Sequence, residues 1–276
     1  MGPMRAAQMF LKRISGKDMQ RFRVTLYGSL AATGRGHLTD KAILGVLEDV
    51  APVDFVWKPE VFLPFHPNGM RFEALDGQGN KIEDWTVYSI GGGTLANESF
   101  NELRTEDVYG MSHIRDILNW CNSTGYSFWE YVEQCEGKEI WNYLAEVWQV
   151  MQESVKRGLN AEGVMPGGLG LRRKALTYFV RSAGMTGSVR NRGLIYAYAL
   201  AVAEENACGG EIVTAPTCGS CGVMPAVLYH MKKMHDVSEA RILRALATAG
   251  LFGNVVRTNA SVSGAEVGCQ GEVGVA

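Results

Sequence analysis

Cys269 lies within a glycine-rich stretch at the end of the chain, residues 259–276. In those eighteen residues four glycines and two glutamates accompany the cysteine, so the backbone can come very close to a bound group. A cysteine thiolate ligates iron, and nearby backbone N–H groups stabilise the negative charge of an iron–sulfur cluster. These residue types predict Cys269 as a metal ligand, although the C-x-x-C-x-x-C run of ferredoxins is absent.

A second cysteine segment, Cys218-Gly-Ser-Cys221, forms a C-x-x-C motif in a glycine-rich turn. A pair at this spacing supports either metal ligation or dithiol redox chemistry. No second C-x-x-C completes a tetrahedral zinc site, and no thioredoxin-like strand pattern surrounds the motif. Ligand, redox and bystander roles therefore stay open for this pair. Three further cysteines fall in or at the ends of predicted helices, and we predict that they pack as small buried side chains: Cys121, Cys135 and Cys208.

The elements that position these residues divide into two kinds along the chain. Residues 4–14 have helical spacing, 21–27 alternate polar and apolar residues as a half-buried strand does, and 39–47 predict a helix with a good cap. The glycines of 28–37 indicate a turn. Two further strands, 70–75 and 85–90, flank Asp76-Gly-Gln-Gly-Asn80, a strong hairpin signal.

Helical periodicity takes over after about residue 105. The pattern predicts helices at 114–121, 127–135, 139–159, 194–207, 223–234 and 238–250. The sequence therefore predicts an α+β fold in three parts: a small α+β domain at 1–105, a helical connection at 106–140, and a mostly α-helical catalytic domain at 141–276.

Composition excludes several classes of function. The 27 basic residues against 29 acidic ones, with no basic run longer than Arg172-Arg173-Lys174, argue against nucleic acid as a partner. No window approaches the roughly eighteen unbroken apolar residues of a membrane span, and no signal peptide is evident. We expect a cytoplasmic protein with reduced thiols and no membrane partner, and a homodimer as the default assembly.

Six motifs of this chain resemble those of the bacterial iron–sulfur L-serine dehydratases. The resemblance runs along essentially the whole chain, and the string at 259–276 is similar to the family's cluster-binding signature. The other five motifs are Thr214-Ala-Pro-Thr217, Glu204-Glu205-Asn206-Ala207, Pro166-Gly-Gly-Leu169, His66-Pro-Asn-Gly-Met-Arg-Phe72 and Tyr27-Gly-Ser-Leu-Ala31.

The resemblance implies a lyase that converts L-serine to pyruvate and ammonia with a 4Fe-4S cluster. It implies a beta-type domain at 1–105 and an alpha-type domain at 141–276, with Cys269 as a cluster ligand. An iron with an open coordination position would act as a Lewis acid on the serine hydroxyl. Four polar residues near the two cysteine segments are candidates to hydrogen-bond the substrate or to stabilise turns: Thr217, Asn259, Ser261 and Ser263.

Some family features have no counterpart in this chain. Family members carry a Ser-Ser-Ser-His-Thr segment ahead of the part that matches Gly2, and its histidine is a natural candidate for the catalytic base. They also continue past Ala276 through further cysteines, so we expect this chain to be a fragment. Two alternatives remain open: a non-catalytic unit that binds an amino acid or has a regulatory role, and a dithiol redox protein that uses Cys218 and Cys221. Pyridoxal phosphate is disfavoured because no lysine after residue 160 lies in a glycine-rich phosphate-loop setting.

Overall fold

The computed structural model describes residues 2–101, 108–166, 169–214 and 217–260. The chain divides into two compact units, Met1–Thr105 and Glu106–Ala276. The first contains a mixed β-sheet with three helices, and the described part of the second is built from helices. The predicted α+β class is therefore confirmed.

The first unit is organised by a six-stranded sheet in the order β2-β1-β3-β4-β5-β6. Strands β1 and β2 pair in parallel and every other pairing is antiparallel. A parallel pair needs a crossover connection, and the two short helices α2 and α3 supply it. The elements in chain order are α1 (Gly2–Arg13), β1 (Arg21–Tyr27), α2 (Gly28–Thr33), α3 (Thr39–Leu47), β2 (Val53–Lys58), β3 (Gly69–Leu75), β4 (Lys81–Ser89), β5 (Leu95–Asn97) and β6 (Phe100–Asn101).

The core of this unit lies on one face of the sheet. Alternate residues of neighbouring strands stand side by side there, as in the register Val24, Phe72 and Trp85 across β1, β3 and β4. Phe10 of α1 and Ile43 of α3 are fully buried against this face. The predicted strand at 21–27, the helix at 39–47 and the 76–80 hairpin are all present.

Two local predictions for the first unit need correction. The glycine-rich segment 28–37 begins as the helix α2 rather than as a turn, because Gly28 turns the chain out of β1 at φ 49° and helix-compatible residues follow it. The pattern also does not predict β2, whose residues Val53–Lys58 are mostly half-buried at the sheet edge. Apolar residues on both faces of an edge strand weaken the period-2 signal.

The second unit, over its described residues, is a bundle of seven helices: α4 (Ile114–Thr124), α5 (Phe128–Glu136), α6 (Ile140–Asn160), α7 (Ala175–Ala183), α8 (Gly187–Ala207), α9 (Val223–His235) and α10 (Glu239–Asn259). Helix α7 is not predicted from the sequence. Helices α8 and α10 are longer than predicted. Glycines favour helix ends in the sequence pattern, but both helices continue through them.

Helices α6 and α8 cross closely at the centre of this bundle. An added Cβ at Gly158 of α6 would lie 2.2 Å from the carbonyl oxygen of Ala201 in α8, so only glycine allows this approach. Trp148, Met151 and Val155 of α6 are buried along the same helix. Trp148 therefore belongs to the core of the bundle, and Trp120, Trp129 and Trp141 pack against that core.

Across the described ranges, no helix combines the length and the apolar composition that crossing a membrane requires.

Candidate active site

Two adjacent buried carboxylates, Glu204 and Glu205, close the C-terminal end of α8 and hold two neighbouring segments in place. The Glu204 carboxylate accepts backbone hydrogen bonds from Lys174 at 2.6 Å and from Ala175 at 3.3 Å. These N–H groups open helix α7, where the helix itself supplies no acceptor and the helix dipole favours a negative charge. Glu204 thus fixes the start of α7 from 30 residues downstream.

The neighbouring Glu205 carboxylate lies between two guanidinium groups. Arg173 approaches one oxygen at 2.8 Å and Arg157 of α6 approaches the other at 3.2 Å. Arg157 also donates to the backbone carbonyl of Glu211. Burial disfavours the charge of Arg173, but its hydrogen bonds to Glu205 and Cys208 outweigh burial and raise its pKa. The triad therefore ties α6, α8 and the segment before α7 together.

Asn206, next in the chain, holds the loop that carries the C-x-x-C motif. Its side-chain amide donates to the carbonyl oxygen of Cys218 at 3.0 Å. Thr217 is buried, and its hydroxyl lies 3.4 Å from the Ser220 hydroxyl. The structure thus places Thr217 inside a loop anchored to the end of α8, with its hydroxyl in contact with the same loop.

The two cysteines of this loop differ sharply in their surroundings. Cys218 is exposed, whereas Cys221 is buried and burial raises its pKa to about 12. A thiol must ionise to act as a nucleophile or as a metal ligand. Cys221 therefore fits a packed side chain better than an attacking thiol.

The three remaining described cysteines lie in packed positions, as the sequence predicts. Cys121 is buried and Cys135 is half-buried, and in both cases burial raises the pKa of the thiol. Cys208 is half-buried beside Arg173 at the end of α8.

Asn259 is the last residue of α10 and lies in a separate set of contacts. Its side-chain amide nitrogen donates to the carbonyl oxygens of Ser112 at 2.6 Å and Val255 at 2.8 Å. Among the described residues, no hydrogen bond joins Asn259 to Thr217. Ser261, Ser263 and Cys269 lie outside the described residues, so their predicted roles stay predictions.

No group of three metal-ligating side chains converges anywhere in the ranges that the structure describes. Those residues therefore do not by themselves fit a cluster, and a cluster would need ligands from undescribed positions, with Cys269 the first candidate.

The motif around His66 in the first unit forms a second buried constellation. His66 is 6% exposed, and its Nδ1 accepts the backbone N–H of Asn68 at 3.1 Å. An added Cβ at Gly28 would lie 2.5 Å from the Pro67 carbonyl oxygen, so this loop packs directly on the turn between β1 and α2. The motifs at 27–31 and 66–72 are therefore one structural feature.

Sequence reasoning missed the pairing of Arg157 with Glu205. The partners are 48 residues apart, and neither the spacing nor the composition near Arg157 marks it. The basic run Arg172-Arg173-Lys174 before α7 is a local signal of positive charge, but it does not indicate which carboxylate lies beside it.

Comparison with known proteins identifies the family. Residues 41–276 match the family described as "Serine dehydratase alpha chain", and residues 1–55 match "Serine dehydratase beta chain". The two matches overlap at residues 41–55, inside the first compact unit, whereas the predicted beta-type domain ends at residue 105. The predicted boundaries of the beta-type and alpha-type domains stay predictions.

Several curated relatives align with the whole chain. L-serine dehydratase TdcG of Escherichia coli (strain K12) is 37% identical over 328 residues, which cover 100% of this chain and 72% of that protein. L-serine dehydratase 1 of the same organism is 38% identical, and the L-serine dehydratase of Streptomyces coelicolor is 37% identical, each with the same coverage. The family matches span more than half of the chain, and the chain belongs to the serine dehydratase family.

Proposed function

We propose that this protein is a lyase that deaminates L-serine to pyruvate and ammonia. The observation that carries the proposal is the full-length similarity to proteins named L-serine dehydratase. The contacts of the described residues support it, because Asn206 of the family-like motif 204–207 holds the carbonyl oxygen of Cys218, the residue that follows motif 214–217. The carboxylates of Glu204 and Glu205 also hold the segment that follows motif 166–169.

We further propose a 4Fe-4S cluster as the cofactor, with Cys269 among its ligands. When bound, such a cluster supplies a Lewis-acidic iron that makes the serine hydroxyl a better leaving group. The support is the sequence of residues 259–276, in which one cysteine lies among glycines that allow close approach.

The described residues contribute position rather than proton transfer. Glu204, Glu205 and Asn206 fix the segment before α7 and the loop that holds Thr217, so both are held at one helix end. A hydroxyl such as that of Thr217 can donate to a substrate carboxylate once it turns from Ser220. Asn259, Ser261 and Ser263 stay candidates for the same task.

Anaerobic purification provides the first test. The expected result is a coloured protein that contains iron and sulfide, bleaches in air and releases pyruvate from L-serine but not from D-serine. The assay should use the 276-residue chain. A colourless protein that binds L-serine in calorimetry without releasing pyruvate would favour an amino-acid-binding or regulatory role instead.

Serine substitutions at three cysteines test the cluster and redox interpretations together. We expect Cys269→Ser to abolish iron incorporation, whereas Cys218→Ser, at an exposed thiol, should leave iron content unchanged. Normal iron content in Cys269→Ser would contradict the cofactor proposal. Loss of pyruvate release in a cluster-loaded Cys218→Ser/Cys221→Ser variant would support dithiol chemistry, which the buried, weakly acidic thiol of Cys221 disfavours.

Thr217 can be tested by removing its hydroxyl at nearly constant volume. Thr217→Val should raise the KM for L-serine by about tenfold, the scale of one hydrogen bond to a charged group. The matched control is Thr248→Val, at a half-buried threonine of α10 whose hydroxyl donates to the Arg244 carbonyl. An equal KM in both variants would leave Thr217 with a turn-stabilising role only.

The homodimer also stays a prediction, and light scattering of the purified protein measures it directly.

A further inference from the structure

Helices α7 and α8 form an antiparallel pair whose surface carries an unusual concentration of positive charge. Residues 163–203 contain six basic residues and no aspartate or glutamate, in a chain whose net charge is −2. Arg173 is neutralised by Glu205 at the far end of the pair. The rest of this segment therefore presents an excess of positive charge that nothing within the segment balances.

A pocket of about 370 Å³ opens between the two helices at the end where they are joined. Its walls include two arginines and four apolar or aromatic side chains: Arg181, Arg192, Tyr178, Tyr196, Met185 and Val189. This volume lies in the lower part of the range found for small-molecule sites. Walls that are mainly apolar, with a small number of polar groups, are also typical of such sites.

Gly193 of α8 sets the shape of this pocket. An added Cβ at Gly193 would lie 2.1 Å from the Ser182 hydroxyl oxygen of α7, so the two helices touch at this point. The larger side chains on either side of the contact then form the walls. The pocket is therefore a consequence of how the helices pack.

Within the described ranges, neither Arg181 nor Arg192 has a carboxylate within ion-pair distance. All four apolar or aromatic wall residues are also well exposed: Tyr178 and Met185 are each 43% exposed, Val189 is 52% exposed and Tyr196 is 57% exposed. Two guanidinium groups that pair with no carboxylate among the described residues, beside exposed aromatic rings, form a site that an anion with an apolar body would complete. Arginine suits this task because its planar fork binds carboxylates in a bidentate manner.

From this combination we infer that the α7–α8 pocket binds a small organic dianion, a dicarboxylate with an aromatic or branched apolar body. The two carboxylates pair with Arg181 and Arg192, and the body packs against Tyr178 and Tyr196. Serine does not match this site, because its side chain is polar and short. The inference does not depend on the deamination reaction, and its test measures binding alone.

Calorimetric titration with phenylsuccinate tests the inference, since this probe has two carboxylates and a phenyl ring. We expect saturable binding that weakens as salt is added. Succinate lacks the ring and 2-phenylethanol lacks the charges, so each should bind at least about tenfold more weakly than phenylsuccinate.

Charge variants assign the binding to the pocket. Arg181→Gln and Arg192→Gln should each reduce phenylsuccinate affinity by about tenfold or more, the scale of a charge-assisted hydrogen bond. Arg190→Gln is the matched control, because it removes the same charge from the same helix pair at a residue that does not line the pocket. Tyr196→Ala should weaken phenylsuccinate but leave succinate unchanged. Circular dichroism checks that each variant is folded.

Three results would overturn the inference. The first is the absence of saturation at about 10 mM phenylsuccinate. The second is an equal loss of affinity in Arg190→Gln and Arg192→Gln, which would show general attraction by the positive surface. The third is a change of oligomeric state in the arginine variants, measured by light scattering, without small-anion binding. That result would assign the surface to an interface between copies of the chain.

Discussion

Replacing Glu205 with glutamine keeps the shape of the side chain but removes its charge, and so tests the triad that joins α6, α8 and the segment before α7. The Arg173 side chain is 10% exposed and that of Glu205 is 9% exposed. Glu205→Gln therefore leaves a buried guanidinium without a counter-charge. Removing one partner of a buried pair costs about 3–5 kcal/mol. The Arg157 side chain is 40% exposed, so water can replace most of its interaction with Glu205. The loss of the Arg157–Glu205 ion pair therefore adds little to this cost.

Glutamine still accepts one hydrogen bond, so we expect a loss near the lower end, about 3 kcal/mol. Urea denaturation followed by far-ultraviolet circular dichroism measures it, because the signal comes mainly from the helical unit. The matched control is Glu239→Gln, which removes the carboxylate of an exposed pair with Lys232 at 3.4 Å. That change should cost less than about 1 kcal/mol.

A second substitution separates the charge effect from packing. Arg173→Met in the Glu205→Gln background removes the uncompensated cation and should restore part of the lost stability. If Glu205→Gln is no more destabilising than Glu239→Gln, or if the two substitutions at the triad are simply additive, the reasoning about this buried pair is wrong.

Three further predictions follow from single contacts. Gly158→Ala should destabilise the helical unit by about 1–3 kcal/mol, because the new methyl group meets the Ala201 backbone. The control Gly250→Ala has open space around it and should stabilise the unit by about 0.5–1 kcal/mol. Equal denaturation midpoints for the two variants would contradict this prediction. Iodoacetamide should alkylate Cys218 in the native protein and Cys221 only after denaturation, as mass spectrometry of the peptides would show; rapid native labelling of Cys221 would refute its burial. Burial, together with the charge of His235, lowers the pKa of His230 below its ordinary value of 6.5. The unfolded state therefore binds a proton at His230 more readily than the folded state does. The free energy of unfolding should decrease as the pH is lowered from about 7 to about 5. His230→Phe should reduce that slope, and an unchanged slope in urea titrations at several pH values would count against His230 as its source.

Local patterns predict the elements whose signals are local. The strand at 21–27 and the hairpin at 76–80 follow from side-chain alternation and from turn residues, and Asp76 does accept the backbone N–H groups of Gln78 and Asn80. Helix α3 follows from apolar spacing, but the predicted side-chain cap is wrong, because its N-cap residue is Leu38 and no side-chain hydrogen bond caps it. In these cases the residues that determine the structure are within a few positions of it.

Tertiary contacts decide the elements that the sequence does not predict. Helix α7 begins where a carboxylate 30 residues away accepts its first N–H groups. Helix α10 continues past Gly250 to Asn259 because Leu246 and Leu251 are buried on both sides of that glycine. Packing overrides helix propensity in such places. Of the candidate site, Thr217 and Asn259 stay predictions from the sequence, whereas the Arg157–Glu205 contact is visible only in the fold.

The capping of α7 by Glu204 also has a consequence for synthesis on the ribosome. Lys174 is added to the growing chain 30 residues before the carboxylate that accepts its N–H. At about 5–20 residues per second, the beginning of α7 exists for roughly 1.5–6 s with only water to satisfy these donors. The α7 segment can therefore reach its final conformation only after the end of α8 has been translated, so these two helices form a single step in co-translational folding.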